Sequence, residues 1–323
     1  MTRRRTFLGQ ALAAVALLAL FAASLTLGPA GPRLPPPLGP LDIVTRLRLY
    51  RAVLAASTGA LLGLAGAMIQ YATGNPLAAP SILGLPQGAL AAAAAAVIIV
   101  GGAPVAPVLA AATLGALAAY AASLALAARG GLTGPGLVVA GVAVSSAATG
   151  LAGLLLYVSQ ARTGVFTPQL LLGTYAYATR GDALLSLSAT LVIAAATLPL
   201  YRGLDLLSYG DTVAASTGAP PGRIRALAAT AAAAAVAVTI DTAGLVGFIG
   251  LIAPNAARSL YGGHPRAAVP GSLLLGATVS LGADVATRLL APLLGLGELP
   301  AATATSLFGG FFLAYLVARG RGS

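Results

Sequence analysis

The sequence has no cysteine, no lysine and no tryptophan, and a single histidine, His264. Without cysteine there is no disulfide, no iron–sulfur cluster and no thiolate-held metal. One histidine cannot write the HExxH pattern of a zinc protease, and no metal site is expected. Without lysine the P-loop pattern G-x-x-x-x-G-K-[ST] cannot be written, so the chain does not hydrolyse ATP by that route. Charge is scarce as well. Charged residues make up 8% of the 323 positions and hydrophobic ones 58%, whereas soluble domains carry about 25% charged residues. Such a chain cannot cover a water-facing surface, and it reads as a polytopic membrane protein in a lipid bilayer.

What charge there is has one dominant sign. All 18 cations are arginine and the net charge is +11. In a soluble protein that balance would suggest nucleic acid. Here no basic stripe interleaves with aromatics, so no nucleic-acid partner is expected. The arginines read as helix flanks that set topology or grip partners.

The start, "MTRRRTFLGQALAAVALLALFAASL", has the twin arginines of a secretion signal. Its apolar run over 7–27 has spanning length and many more such runs follow, so it reads as a first membrane helix. Further candidate spans fall at about 52–71, 87–102, 104–127, 136–158, 183–201, 224–242, 246–261, 269–287 and 301–318. The expected fold is therefore all-α and polytopic, with about ten transmembrane helices in one transmembrane domain over 1–323. With both termini inside, the inner face holds Arg3, Arg4, Arg5, Arg129, Arg202, Arg223, Arg225, Arg266, Arg319 and Arg321, with Arg258 nearby. The outer face holds Arg33, Arg46, Arg48, Arg51, Arg162, Arg180 and Arg288. The bias has the right sign for cytoplasmic termini, and the outer arginines ask for a reason.

Two segments stand out by pattern. "STGALLGLAGAMIQ" places Gly59, Gly63 and Gly66 on or near one helix face, where small residues let backbones approach. "YRGLDLLSYGDTVAASTGAPPGRIRAL", from Tyr201 to Leu227, is the longest polar stretch. Within it "DTVAASTGA" can form a short helix, with Asp211 as N-cap and Gly218 as stop. A short helix there is either a surface element or a docking peg.

Several segments in order carry a family resemblance: "RLRLYRAVLAASTGALLGLAGAMIQYATGNPLAAPSILGLPQGA", "GLVVAGVAVSS", "GLDLLSYGDTVAASTGAP", "GLVGFIGLIAPNAARSLYGGHPR", "GADVATRLL" and "GELPAATATSLFGGFFLAYLVARG". Together they resemble the ABC importer permeases for vitamin B12, ferric siderophores and haem, over about Phe7 to Arg319. The resemblance implies a ten-span subunit of the cytoplasmic (inner) membrane that pairs with a second copy of itself. It implies two ATP-binding cassette subunits below, which use ATP and Mg, and an extracytoplasmic solute-binding protein above. The chain itself would bind no cofactor and have no catalytic residues.

The resemblance also implies roles for residues. Asp211, Thr212, Ala215, Ser216, Thr217 and Gly218 match a coupling helix within a cytoplasmic loop at 203–225, with Arg223 and Arg225 just beyond it. Asn75, Pro76 and Leu77 match a cytoplasmic gate loop, and Val144, Ser145 and Ser146 a second constriction. Arg48, Arg51 and Arg288 match positions that grip acidic residues of the binding protein, a task for which the planar guanidinium fork is suited. Gly247, Gly250, Pro254, Asn255 and Arg258 form the signature segment, a short span that re-enters the membrane. Gly247 and Gly250 permit close packing there, and Pro254 interrupts the hydrogen-bond ladder. Asn255 departs from the family, which usually has histidine after that proline; asparagine can hydrogen-bond but cannot become cationic. His264 reads as a loop residue.

The resemblance implies as cargo a metal chelate such as a ferric siderophore or cobalamin, though some relatives carry small oxyanions; a pathway with few charges suits the large, weakly held solute better than a tightly bound ion. The rival is a secondary transporter without an ATPase subunit, which would normally place charged groups at mid-membrane. Asp241 and Asp284 instead lie near span ends. A membrane enzyme lacks a nucleophile–base pair or metal site.

Overall fold

A computed structural model describes residues 3–28, 42–129, 134–164 and 173–320, with side chains described over 9–28, 42–129, 136–164 and 173–314. Arg33 and Arg321, used above for orientation, lie outside the described residues, as do the side chains of Arg3, Arg4, Arg5 and Arg319. The described residues form helices and no strands. In chain order they are α1 (Arg3–Thr26), α2 (Ile43–Thr73), α3 (Leu85–Val100), α4 (Val105–Arg129), α5 (Gly134–Thr163), α6 (Arg180–Thr197), α7 (Leu200–Leu207), α8 (Asp211–Ser216), α9 (Pro221–Ala243), α10 (Ile249–Tyr261), α11 (Pro265–Leu293) and α12 (Ala301–Gly320).

Local signals explain the ends. The Asp42 side chain accepts from the Thr45 amide and caps α2, and Gly74, at φ 62°, stops it. Thr179 and Asp182 form a reciprocal capping box at the start of α6. Alanine and leucine fill the interiors, residues that form helices readily and expose no polar atoms to lipid.

Six of the ten expected spans coincide with helices of membrane-crossing length among the described residues. Each apolar stretch falls on a helix, but among the described residues only α1, α2, α4, α5, α9 and α11 are long and apolar enough to cross a membrane. The pair α6 and α7, bent by 61°, makes a seventh if it is one span. Of the remaining helices α12 has 20 residues, with side chains described over 301–314, and α10 and α3 are short. The 13 residues of α10 rise only about 20 Å and the 16 of α3 about 24 Å, against a hydrocarbon core of about 30 Å.

Helix α2 is the centre of the bundle, buried along most of its length and packed by α6, α9, α10 and α11. The glycine stripe makes this possible. A Cβ on Gly59 would overlap the Gly276 carbonyl of α11, one on Gly63 the Ser272 carbonyl, and one on Gly66 the Gly250 carbonyl of α10. Backbone therefore lies on backbone, the form of packing open to helices in lipid, where hydrophobicity does not drive association. Pro254 lies inside α10, where it leaves the Gly250 carbonyl without its helical partner. Phe248 starts α10 in the left-handed region, at φ 64°, a conformation that a non-glycine residue holds only when its surroundings impose it.

Contacts sort the molecule into two ends. At one end, Arg225 of α9 donates to the Ala72 carbonyl near the end of α2, Tyr71 donates to the Gly263 carbonyl, and Tyr261 donates to the Gly9 carbonyl near the start of α1. At the other, Arg51 near the start of α2 meets Asp284 and Glu298, and Arg288 meets Ser24 near the end of α1. The 31 residues of α2 separate these ends by about 46 Å.

Candidate functional site

At the first end, α8 is one short turn of helix. Its only buried residue is Ala214; Asp211, Thr212, Ala215, Ser216, Thr217 and Gly218 are all exposed. The cap differs from the sequence expectation. Gly210, at φ 106°, is the N-cap and Asp211 is the first helical residue. The reason is that the Asp211 carboxylate is already engaged. Arg225 donates to both of its oxygens at 2.7 Å, a bidentate fork. That bond holds the Asp211 carboxyl below the usual carboxylate range. Arg225 also donates through Nε to the Ala72 carbonyl at 2.9 Å. One side chain thus ties the exposed helix to the end of α2. Arg223, two residues earlier, is exposed.

The loop after α2 follows directly. Asn75 accepts the Leu77 amide at 2.9 Å and closes a tight turn. The Pro76 carbonyl accepts from Asn255 Nδ2 at 2.9 Å, and the same nitrogen donates to the Leu251 carbonyl at 2.8 Å. Asn255 is therefore a staple between α10 and this loop, a role that needs an amide donor and no positive charge. Arg258 lies one turn on. It bonds the Gln70 side-chain oxygen and sits 5.3 Å from the Tyr71 ring centroid, within cation–π range.

The loop then runs along α5. A Cβ on Gly84 would stand 3.4 Å from the Val144 side chain and 3.3 Å from the Ser145 amide nitrogen. Val144 and Ser145 are half-buried, and Ser146 is exposed on the same helix. A cavity of about 1190 Å³ opens here, with Asn75, Pro76, Leu137, Asp211 and Arg225 among its walls. The fold thus brings Asn75, Pro76, Leu77, Val144, Ser145, Asp211 and Arg225 to one end, together with Pro254, Asn255 and Arg258.

The other end holds Arg48, Arg51 and Arg288. Arg51 donates to Asp284 at 2.9 Å and pairs with Glu298. Arg288 reaches the other Asp284 oxygen at 2.7 Å and donates to the Ser24 and Leu27 carbonyls. Arg48 donates to the Leu25 and Thr26 carbonyls, the orphaned acceptors at the end of α1. The Asp284 side chain is 0% exposed, against 39% for Glu298. These arginines therefore carry an internal structural task, and of these two acids Glu298 is the one that faces outward. Sequence reading missed Asp284 and Glu298 as partners. The i,i+4 spacing of Asp284 and Arg288 was a usable signal; their link to Arg51, 233 residues away, was not.

An all-helical bundle with several helices of membrane-crossing length, small-residue packing and a short exposed helix tied to its central helix is the architecture of a multi-pass membrane protein. The chain belongs to the FecCD transport family, whose model matches residues 11–319. It is 33% identical over 298 residues to the Fe(3+) dicitrate transport system permease protein FecC of Escherichia coli K12, covering 87% of this chain and 84% of that one. It is also 33% identical over 281 residues to the cobalamin import system permease protein BtuC of Halobacterium salinarum, covering 85% and 73%. Among solved structures, a metal-chelate type ABC transporter in an inward-facing conformation superimposes with a TM-score of 0.76 at 25% identity, covering 96% of this chain and 98% of that one.

Proposed function

We propose that this chain is the membrane-spanning subunit of an ATP-driven importer. Two copies line a pathway for a metal chelate, a ferric siderophore or cobalamin, delivered by a soluble binding protein and driven by two ATP-binding cassette subunits. Both termini and α8 face the cytoplasm, and Arg48, Arg51 and Arg288 face outward. The observation that carries this reading is the Arg225 side chain, bonded at once to Asp211 of the exposed α8 and to Ala72 of the central α2.

In this reading α8 seats in the ATPase subunit through Thr212, Ala215 and Ser216. Its movement on ATP binding and hydrolysis pulls on α2 through Arg225. The loop at Asn75–Leu77 moves with the end of α2, and Asn255 carries α10 with it. Val144, Ser145 and Ser146 on α5 bound the exit beside that loop. A packed assembly of this kind has discrete arrangements, so a small shift switches access. The permease does no covalent chemistry.

Docking takes a specific form here. Asp284 fixes Arg51 and Arg288 from inside, and Glu298 occupies the outward edge of Arg51. A carboxylate of the binding protein exchanges with Glu298, while Arg48 supplies the neighbouring charge.

Native mass spectrometry of the tagged protein, gently purified from its own membranes, tests the assignment. Two copies with two ATP-binding subunits is the expected mass. A reproducible monomer or dimer without an ATPase, in a detergent that preserves other ABC complexes, overturns it in favour of a secondary transporter.

A further inference from the structure

The cavity of about 1190 Å³ has walls that the gate reading does not use. Leu117, Ala121, Leu124 and Ala128 line it from α4, spaced as one helical face. Ala226 and Ala229 line it from α9. Thr230 lines it too, but its hydroxyl turns back to the Ala226 carbonyl at 2.9 Å. Away from Asn75 and Arg225 the walls are therefore mostly alanine and leucine. From Leu117 to Ala128 the α4 wall rises about 16 Å. That is close to one leaflet's share of a hydrocarbon core of about 30 Å. A slot of this depth, walled by two helices, suits an extended hydrocarbon chain.

An independent observation concerns the mouth. Arg225 lines it. Arg223 directly follows Gly222, another wall residue, and Arg129 directly follows Ala128 at the end of α4. Arg129 and Arg223 are exposed, and neither pairs with an acid among the described residues. The carboxylate at the mouth, Asp211, is already held through both oxygens by Arg225. Three guanidinium groups stand against one carboxylate, so the mouth is positive where the apolar walls begin. Basic pockets between membrane helices bind anionic lipid headgroups, and the guanidinium fork suits phosphate oxygens.

We infer that the slot between α4 and α9 binds an anionic phospholipid, with an acyl chain along the two helices and the phosphate at Arg129 and Arg223. A lipid elsewhere around the bundle meets the protein on one side. This one is enclosed on two sides and held by its charge. The site goes beyond the importer reading and does not rest on it, because it concerns neither the cargo nor the ATPase.

The test is the melting temperature of the purified full chain, washed in neutral detergent until its native mass shows no bound lipid. It is titrated with dioleoyl phosphatidylglycerol, with dioleoyl phosphatidylcholine and with inorganic phosphate. A saturable rise of a few degrees with phosphatidylglycerol alone is expected. No rise overturns the proposal. An equal rise with phosphatidylcholine does so too, since the headgroup is then not read, and an equal rise with inorganic phosphate would make this a free-anion site. Replacing both mouth arginines, Arg129→Gln with Arg223→Gln, should raise the half-saturating concentration several-fold. Arg162→Gln, an exposed arginine at the opposite end of α5, should leave it unchanged. Equal shifts in the two would mean attraction to net charge alone and would overturn the site. Ala125→Phe places a ring in the slot, which Ala125 lines, and should abolish the rise; an unchanged rise there also sinks the idea. Should Ala125→Phe not fold, the arginine variants decide. Transport and ATPase activity are not read, so failure here leaves the importer reading standing.

Discussion

At the scale of single residues, the largest energies lie with charges that the bundle has buried. Asp284 balances two guanidinium groups, Arg51 and Arg288, whose side chains are 10% and 3% exposed. Asp284→Asn keeps the shape and removes the balancing charge. Breaking a buried network by deleting one partner costs about 3–5 kcal/mol. The measurement is the melting temperature of the purified chain, which should fall by many degrees. Glu298→Gln breaks a pair that is partly exposed and should cost about 0–1 kcal/mol. Equal losses for the two would mean that Asp284 is not the hub. This network was only half legible in the sequence. "GADVATRLL" shows Asp284 and Arg288 one helical turn apart, but nothing in a linear sequence places Arg51 beside them. The outward arginines were read for a partner; their first task, satisfying Asp284 and the end of α1, depends on contacts that only folding creates.

At the scale of elements, each apolar run falls on a helix, and some runs match the helix length while others differ from it. A run of 16 apolar residues and one of 23 look alike in composition, yet one is too short to span. Breaks also come from backbone geometry that composition does not record, such as Phe248 at φ 64° and the 61° bend between α6 and α7. The glycine stripe on α2 was legible as a possible close-packing face. The structure gives it partners, Gly276, Ser272 and Gly250. Gly66→Ala should therefore be severe for so small a change. The new methyl meets backbone, which cannot rotate away, so α2 and α10 must separate. Overpacking of this kind costs about 1–3 kcal/mol, and Asn255 would draw back from Pro76. Loss of thermal stability is the readout; a variant as stable as wild type would show that the two helices do not touch there. The α8 cap is an instructive miss. Asp211 is a good N-cap by type, but a bidentate arginine competes for the same oxygens and wins, leaving the cap to Gly210.

The same helix carries a prediction about coupling. Ala215 is exposed on α8 beside Thr212 and Ser216. Ala215→Glu should leave the fold intact and add a bulky charge to the face proposed to seat in the ATPase. Transport should fall at least ten-fold while basal ATP hydrolysis by the assembled complex persists, which in free energy is about 1.4 kcal/mol or more of lost coupling. Normal uptake by this variant would remove α8 from the coupling role.

At the scale of the whole molecule, the proposed importer would work through two ends about 46 Å apart along one buried helix, and the structure changes how the outer end should be probed. Reversing Arg48, Arg51 and Arg288 to glutamate is the obvious experiment, but two of the three would then face Asp284 with like charge inside the bundle. Unfolding would be mistaken for lost docking. Glu298 offers a cleaner route, because it is 39% exposed and holds the outward edge of Arg51. If a carboxylate of the binding protein replaces it, Glu298→Gln removes the competitor and should tighten docking. Arg48→Glu, at a half-buried position that bonds the Leu25 and Thr26 carbonyls, should loosen it. Both effects should shrink as salt rises, since charges meeting at a wet surface are screened over about 8 Å at physiological ionic strength. Docking affinity measured at low and moderate salt decides the matter. Opposite shifts in the two variants support an outer face that exchanges one carboxylate for another. Two unchanged affinities at low salt would leave these arginines as builders of the fold alone, and the binding protein would have to be held by some other surface.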